Sequence, residues 1–186
     1  FRDPGAWYHI VLRIDTANST ADDRFILYIN GEQETSFGTR NNPSQNQDTW
    51  ANHTTFPQYI GKAGYNNLYL DGYLAEINFI DGLSLDPSYF GATDVLTGQW
   101  NPKKYTGSYG TNGFYLNFSD NSALGTDSSG NGNNFTPNNF GTGDAVKDSP
   151  TNNFAVLNVL NCPYDVPTFS EGSLKWISNT NLGSNT

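Results

Sequence analysis

Residues 24–31 read Arg-Phe-Ile-Leu-Tyr-Ile-Asn-Gly, and this stretch decides how the chain folds. Its run of β-branched and aromatic side chains predicts a strand, and the Asn-Gly at its end is the strongest short signal for a β-hairpin. A polar return strand is therefore expected over residues 32–37. Upstream, residues 7–15 alternate with the period of two that is typical of a strand. The apolar face of that strand carries Tyr8, Ile10, Leu12 and Ile14.

The same alternation recurs further along the chain. This alternation is clearest over residues 71–82, where it predicts a strand that is bounded by a glycine turn at each end. One face of this strand carries Tyr73, Ala75, Ile77 and Phe79. Shorter strands are expected at 58–61 and 114–118.

Between these strands the sequence predicts turns and loops. Residues 38–57 form a long polar loop, and 84–91 fit one helical turn, because Pro stands in its first turn and Gly at its exit. Together the elements predict an all-β fold, an antiparallel sandwich over residues 1–140. Residues 141–186 are expected to be an extended linker or the start of a following module. Weak strand signals within them are confined to 154–160 and 173–177.

Composition limits the kind of core and the classes of partner. Only 35% of the 186 residues are hydrophobic while 15% are aromatic, so apolar burial depends on rings, and a Leu-rich helical bundle is excluded. The net charge of −9 opposes binding to nucleic acid or to an anionic membrane face. The chain has no apolar run long enough for a membrane span. A single cysteine, Cys162, excludes an internal disulfide and a multi-thiolate zinc site.

The start of the chain is unusual. It opens with Phe1-Arg2-Asp3-Pro4 and enters the first predicted strand almost at once, without the features of a secretory signal. We therefore expect these residues to come from inside a longer polypeptide.

Four motifs carry a resemblance to a known family. They are Trp7-Tyr8-His9-Ile10-Val11, Leu27-Tyr28-Ile29-Asn30-Gly31, Tyr59-Ile60-Gly61 and Asp71-Gly72-Tyr73-Leu74-Ala75-Glu76-Ile77. In this order they resemble the second half of a concanavalin A-like lectin/glucanase jelly roll of the laminin-G type. The first half would precede Phe1, so the missing cover is expected from residues 113–140 or from neighbouring chains.

The chain as a whole, including the segments 2–4, 101–105 and 148–152, is similar to virion structural proteins of marine bacteriophages that carry this jelly roll. The resemblance implies a non-enzymatic structural or adhesion module at the virion surface, in a tail fibre, head fibre or decoration protein. Its implied partners are other virion proteins and copies of itself, with a homotrimer as the expected assembly and a host surface glycan as a candidate ligand. The alternative is a stand-alone carbohydrate-binding lectin or a glucanase-like protein.

The acidic residues do not predict catalysis. Retaining glucanases of this fold need two carboxylates about 5.5 Å apart on one strand face, which requires acidic residues at alternate positions. Asp71, Glu76 and Asp81 are spaced by five, so successive members point to opposite faces. His9 lies within a strand, where a packed ring is expected. We therefore expect no enzymatic activity and no catalytic residues.

Calcium is the one metal that the sequence raises, with the 127–132 motif as the main candidate site and Asp71 as a second candidate ligand. Oxygen-bearing side chains stand at alternate positions before a glycine, although Asn138 takes the place of the usual distal Glu. The candidate ligands are Asp127, Ser129 and Asn131. A structural turn is the competing interpretation, and no other cofactor is expected.

Sugar binding needs exposed rings flanked by hydrogen-bonding groups. The 38–57 loop and the stretch at 98–109 both offer this combination. The candidate carbohydrate-binding residues are Trp50, Asn52, His53, Trp100 and Tyr105. Each of these rings could instead fill a sparse core or pack against a neighbouring chain.

Overall fold

The computed structural model describes residues 6–64, 66, 68–141 and 144–151, together with the backbone of 168–170 and 175–177. Short strands run through these residues in antiparallel pairs. In chain order they are β1 (Ile10–Ile14), β2 (Phe25–Ile29), β3 (Glu32–Gln33), β4 (Ile77–Phe79), β5 (Gly91–Thr93), β6 (Trp100–Pro102), β7 (Phe114–Leu116), β8 (Thr168–Ser170) and β9 (Lys175–Ile177). Two 3-10 turns, Ala21–Asp23 and Pro87–Tyr89, complete the described elements.

The predicted hairpin is confirmed. Strands β1, β2 and β3 form one sheet in that order, with Ile10 opposite Ile29. Asn30 and Gly31 both have positive φ, 49° and 84°, as a tight hairpin turn of the I′ type requires. The expected return strand is shorter than 32–37, because pairing continues only through Glu32–Gln33.

The predicted strand over 71–82 is wrong in its first part. Only Ile77–Phe79 forms strand β4, because Glu76 has a positive φ of 54° that interrupts the extended backbone before it. Tyr73, which was expected on the covered face, is exposed. Strand β4 pairs with β7, so the stretch 113–140 does supply a partner strand.

Of three further local predictions, two are confirmed and one is wrong. The 38–57 stretch carries no strand, as expected of a loop. The turn at 84–91 is confirmed as Pro87–Tyr89, and its first N–H groups are capped by Asp86, whose Oδ1 accepts from the Ser88 N–H at 2.8 Å. The short strand expected at 58–61 is replaced by one bridge between Lys62 and Tyr69.

The centre of the fold is built largely from aromatic rings. One row of ring contacts runs through Phe90, Tyr105, Tyr109 and Tyr115, with neighbouring centroids 5.2 to 6.1 Å apart. A second row joins Phe79, Phe114 and Phe135. Among aliphatic side chains, Leu116 is the most deeply buried, at 2% exposure. The high aromatic content of the sequence therefore produces a core of stacked and edge-on rings.

Trp100 connects two of the sheets. Its indole lies against Gly31, in the turn between β2 and β3, and against Gly91, at the start of β5. A Cβ atom at either glycine would overlap the indole. The indole Nε1–H also donates to His9 Nδ1 at 3.1 Å, just before β1. One side chain thus holds the first sheet against the β5–β6 pair.

Part of the apolar face predicted for β1 is uncovered. Ile10 and Leu12 are each 55% exposed. Nearby, the chain after residue 141 returns to this end of the fold, because Trp7 Nε1 donates to Asp148 Oδ2 at 2.9 Å.

Further along, β9 fulfils the strand signal at 173–177, while the signal at 154–160 lies outside the described residues. Within the described part of the chain, none of the helices has the length and apolarity to cross a membrane.

We predict that Gly91→Ala destabilises the fold by about 1–3 kcal/mol, the usual cost of forcing an extra methyl group into a packed site. The new Cβ would push the Trp100 indole out of its contact. Gly72→Ala is the matched control, since a Cβ there meets nothing within 4 Å. Urea unfolding of the three proteins measures the effect, and equal stabilities for Gly91→Ala and wild type would contradict the packing role of Trp100.

Candidate functional site

A group of rings in contact with one another lies in the second half of the 38–57 loop. Trp50, His53 and Phe56, which we call the loop aromatic cluster, contact one another with centroid separations of 4.6 to 5.8 Å. Trp50 is 68% exposed although its ring is among the largest apolar surfaces in the chain. Two of the predicted sugar-binding residues, Trp50 and His53, are therefore brought together, and Phe56 is a member that the sequence analysis missed.

Gln58 gives this loop a defined shape. Its side-chain amide donates to the carbonyl oxygens of Trp50 and Phe56, at 3.2 and 3.1 Å, and its Oε1 accepts from the Asn52 N–H at 3.2 Å. Asn52 itself has a positive φ of 58°, which Asn tolerates better than most residues. Asn52 is exposed and adjacent in sequence to His53 of the cluster.

The other two predicted sugar-binding rings lie elsewhere. Trp100 is packed between two glycines as described above. Tyr105 is 6% exposed and its ring contacts Phe90 and Tyr109, so neither face of it is open to a sugar. Its hydroxyl donates to the Ser108 carbonyl at 3.0 Å.

His9 is a packed ring, as its position in the first strand predicted. Burial lowers the pKa of His9, which keeps the imidazole neutral. A neutral ring leaves Nδ1 able to accept the Trp100 indole N–H. The hydrogen bond and the pKa shift therefore support the same structural role.

Glu76 and Tyr115 form a carboxylate–phenol pair. The Tyr115 hydroxyl donates to Glu76 Oε2, and the neighbouring Tyr109 hydroxyl donates to Asn78 Oδ1 at 2.9 Å. Burial, followed by the hydrogen bond to Glu76, raises the pKa of Tyr115. Burial likewise raises the pKa of Tyr109 to about 12. A phenol held in its protonated form is a poor nucleophile, so the pair acts as a structural contact.

Asp127 sits at the centre of a closed hydrogen-bond network. Its Oδ1 accepts from the N–H groups of Tyr115 and Ser129, and its Oδ2 from the Ser129 hydroxyl and the Asn133 N–H, all at 2.9 Å. Burial acts to raise the pKa of Asp127, but these donors outweigh it and lower the pKa. The carboxylate thus ties the 127–134 turn to strand β7.

This network does not fit calcium. Both oxygens of Asp127 face N–H and O–H donors, and Asn131 Nδ2 donates to the carbonyls of Gly110 and Gly113 at 2.7 and 2.8 Å. The Asn131 amide is therefore engaged as a hydrogen-bond donor to the backbone before β7. The described residues also contain no group of three His, Cys, Asp or Glu side chains placed to hold a metal ion. The hydrogen bonds of Asp127, Ser129 and Asn131 fit a structural turn, the competing interpretation of this motif, better than they fit a set of calcium ligands.

An open cleft of about 450 Å³ lies beside the Pro87–Tyr89 turn. Its lining residues are Leu83, Leu85, Tyr89, Lys103, Lys104, Tyr105, Thr106, Gly107 and Ser108, which we call the Lys103–Lys104 cleft. No motif in the sequence predicted this cleft. The available signal was the adjacent pair of lysines, in a chain that has 9 Lys and Arg against 18 Asp and Glu.

Comparison with known proteins finds a family match for the first part of the chain. Residues 2–87 match the family model Laminin_G_3, described as the concanavalin A-like lectin/glucanases superfamily. With its antiparallel strands, the fold is of the all-β, concanavalin A-like sandwich class. No curated protein matches the chain, and no solved structure does. The loop aromatic cluster lies inside the matched segment, whereas most of the residues that line the Lys103–Lys104 cleft lie beyond it.

We predict that Asp127→Asn lowers the free energy of unfolding by about 1.5–3 kcal/mol, the range for hydrogen bonds to a charged group. The new amide would turn donors toward the Asn133 N–H or the Ser129 hydroxyl. Asp120→Asn is the control, because that exposed carboxylate caps only Ser122. Thermal unfolding measures both.

A second test of the same network is the thermal stability of the protein in the presence of added calcium. Because the Asp127 oxygens are already occupied by protein donors, added calcium is expected to leave the Tm of the wild-type protein unchanged. A Tm that rises with calcium concentration would show a bound cation and contradict the closed network.

Proposed function

We propose that this chain is a non-catalytic adhesion module that holds a glycan against the loop aromatic cluster. The observation that carries the proposal is the set of mutually packed rings in this loop, which includes a tryptophan that is 68% exposed. A pyranose ring presents a face of C–H groups that packs on an aromatic face, while its hydroxyls need polar neighbours. Asn52 and His53 supply those neighbours from the same turn.

The fixed geometry of the loop favours binding. Gln58 holds the two ends of the turn through three hydrogen bonds, so the rings lose little conformational freedom when a ligand packs on them. Large aromatic side chains such as tryptophan are among those that most often dominate the binding energy of an interface. The family of the matched segment includes lectins by its description, which agrees with this assignment.

The carboxylates support a non-catalytic role. Asp86, Asp94 and Asp120 cap nearby backbone N–H groups, and hydrogen bonding lowers the pKa of each. Asp127 is enclosed by its own donors, and Glu76 is bound by Tyr115. A retaining glycosidase needs one carboxyl as a proton donor with a raised pKa. The shifts at these aspartates are in the opposite direction.

For its setting, we propose the surface of a bacteriophage virion, in a fibre or decoration protein, with other virion proteins and copies of this chain as partners. The resemblance of segments 2–4, 101–105 and 148–152 to phage virion proteins supports this setting. The exposed apolar face of β1 supports association into a homotrimer, because the described part of the chain leaves Ile10 and Leu12 more than half exposed. Since each is 55% exposed, covering the remaining surface favours association by about half of the 1.5–3 kcal/mol that full burial gives.

We predict that Trp50→Ala lowers the affinity for a bound glycan at least about tenfold, as expected for a central aromatic contact. Gln58→Ala is expected to weaken binding as well, because the turn loses its three hydrogen bonds. Tyr73→Ala is the matched control, an exposed aromatic side chain outside the cluster. Binding to an array of immobilised bacterial and marine polysaccharides, followed by calorimetry on the best ligand, gives the affinities.

Two results would contradict this function. If Trp50→Ala and Tyr73→Ala bind as tightly as the wild-type chain, the cluster is not the contact surface. If incubation with the bound polysaccharide releases reducing ends, the module is catalytic.

We predict for the setting that mass spectrometry of purified phage particles detects peptides of this chain. Light scattering of the isolated chain should give three times its 20.5 kDa mass. Leu12→Ser should lower that mass, whereas Val95→Ser, on the exposed tip between β5 and β6, should not. A monodisperse monomer at micromolar concentration would contradict the trimer, and absence from particles would contradict the virion setting.

A further inference from the structure

We propose that the Lys103–Lys104 cleft binds an acidic sugar unit, carboxylated or sulfated, as a second contact on the glycan. The inference rests on the proposed function for its premise that the ligand is a glycan, and it adds the chemical class of that glycan. It is carried by the charge, the lining and the rigidity of the cleft.

The cleft reverses the sign of its surroundings. The chain carries a net charge of −9, yet the cleft is lined by Lys103 and Lys104 and by no carboxylate among the described residues. The pKa of Asp86 is lowered chiefly by its hydrogen bonds to Ser88. The nearby charges of Arg13 and Lys103 lower it further, so Lys103 has a carboxylate in its neighbourhood. Lys104 has no ionic or hydrogen-bonding partner in the described part of the chain. Two like charges lining one concavity concentrate a positive potential there. That potential selects an anionic group.

The remaining lining fits a sugar ring better than a bare anion. Tyr89 is 48% exposed at the cleft, and Leu83 and Leu85 add apolar surface beside it. Thr106 and Ser108 add hydroxyl groups to the same lining. A volume of about 450 Å³ lies within the range of small-molecule sites and leaves room for more than an inorganic ion. An apolar face, hydroxyl partners and two cations together match an acidic saccharide.

The walls of the cleft are held in place before any ligand arrives. The Lys103 N–H donates to the Phe90 carbonyl at 2.8 Å, which continues the pairing of β5 and β6 up to the first lysine. On the other wall, the Tyr105 hydroxyl donates to the Ser108 carbonyl, and Gly107 packs so closely on that ring that a Cβ would overlap the hydroxyl. A preformed site of this kind loses less entropy on binding.

An acidic glycan is favoured over other polyanions. Nucleic acid gains its affinity from many phosphate contacts, and two lysines on a chain of net charge −9 offer few. An acidic polypeptide would satisfy the lysines but has no C–H face for Tyr89. A polyglutamate peptide is therefore included in the experiment as the competing anion.

The test measures calorimetric affinity of the full chain for four probes of equal length: a uronic acid oligomer, a sulfated galactan oligomer, a neutral glucan oligomer and a polyglutamate peptide. We expect an acidic oligosaccharide to bind more tightly than the neutral one, with a preference that weakens as salt is added. Lys104→Gln should lower that affinity roughly two- to fivefold, and Lys103→Gln with Lys104→Gln by the product of two such steps. Tyr89→Ala should weaken binding of the acidic oligosaccharide and leave polyglutamate binding unchanged.

Lys147→Gln is the control, because it removes one exposed charge outside the cleft. An equal loss in Lys147→Gln and Lys104→Gln would reduce the effect to net charge and overturn the site. Tighter binding of polyglutamate than of either acidic oligosaccharide would assign the cleft to an acidic polypeptide and overturn it too. Glycan binding that depends on Trp50 but shows no preference for acidic units would overturn this inference alone. Failure of all three oligosaccharides to bind would overturn the proposed function with it.

Discussion

The packing of the Trp100 indole between two glycines is the interaction on which the rest of the fold depends. Gly31 belongs to the hairpin turn of the first sheet and Gly91 to strand β5, so the ring joins parts of the chain that share no strand pairing. Loss of a packed tryptophan costs about 3–5 kcal/mol, a large share of the 5–15 kcal/mol that stabilises a typical domain. The neutral His9 ring adds a hydrogen bond that fixes the orientation of the indole.

Around this contact, the chain replaces aliphatic burial with rings and enclosed polar groups. Leu116 and Ile26 are the buried aliphatic side chains among the described residues, while the tyrosine row and the Asp127 network link β4, β7 and the 127–134 turn. Carboxylates used in this way are acceptors for backbone N–H groups and are removed from surface chemistry. Recognition is left to the exposed rings and lysines, which is the basis of both proposals.

Sequence patterns predicted the local elements whose cause is local. The left-handed turn at Asn30-Gly31 and the capped turn at Pro87 follow from backbone preferences of the residues themselves. The 71–82 strand failed because its alternation is interrupted at Glu76, whose side chain is held by Tyr115 from 39 residues away. The burial of Tyr105 and the packing of Trp100 likewise depend on distant partners. Alternation and ring content alone do not separate a core ring from a surface ring, whereas the exposed Trp50 and His53 lie in a loop that composition did identify.

The contacts of Trp100 also set where the module can be divided. The family match ends at residue 87, but the indole that packs on Gly31 comes from residue 100, and the strand that pairs with β4 comes from 114–116. A segment that ended at residue 87 would contain the hairpin without the Trp100 indole that packs on its turn and without the strand that pairs with β4. A segment that keeps these contacts must therefore extend from the first sheet through the 127–134 turn, whose Asp127 accepts from the N–H of Tyr115 in β7. The part of the chain that these contacts hold together is therefore longer than the segment that the family model matches.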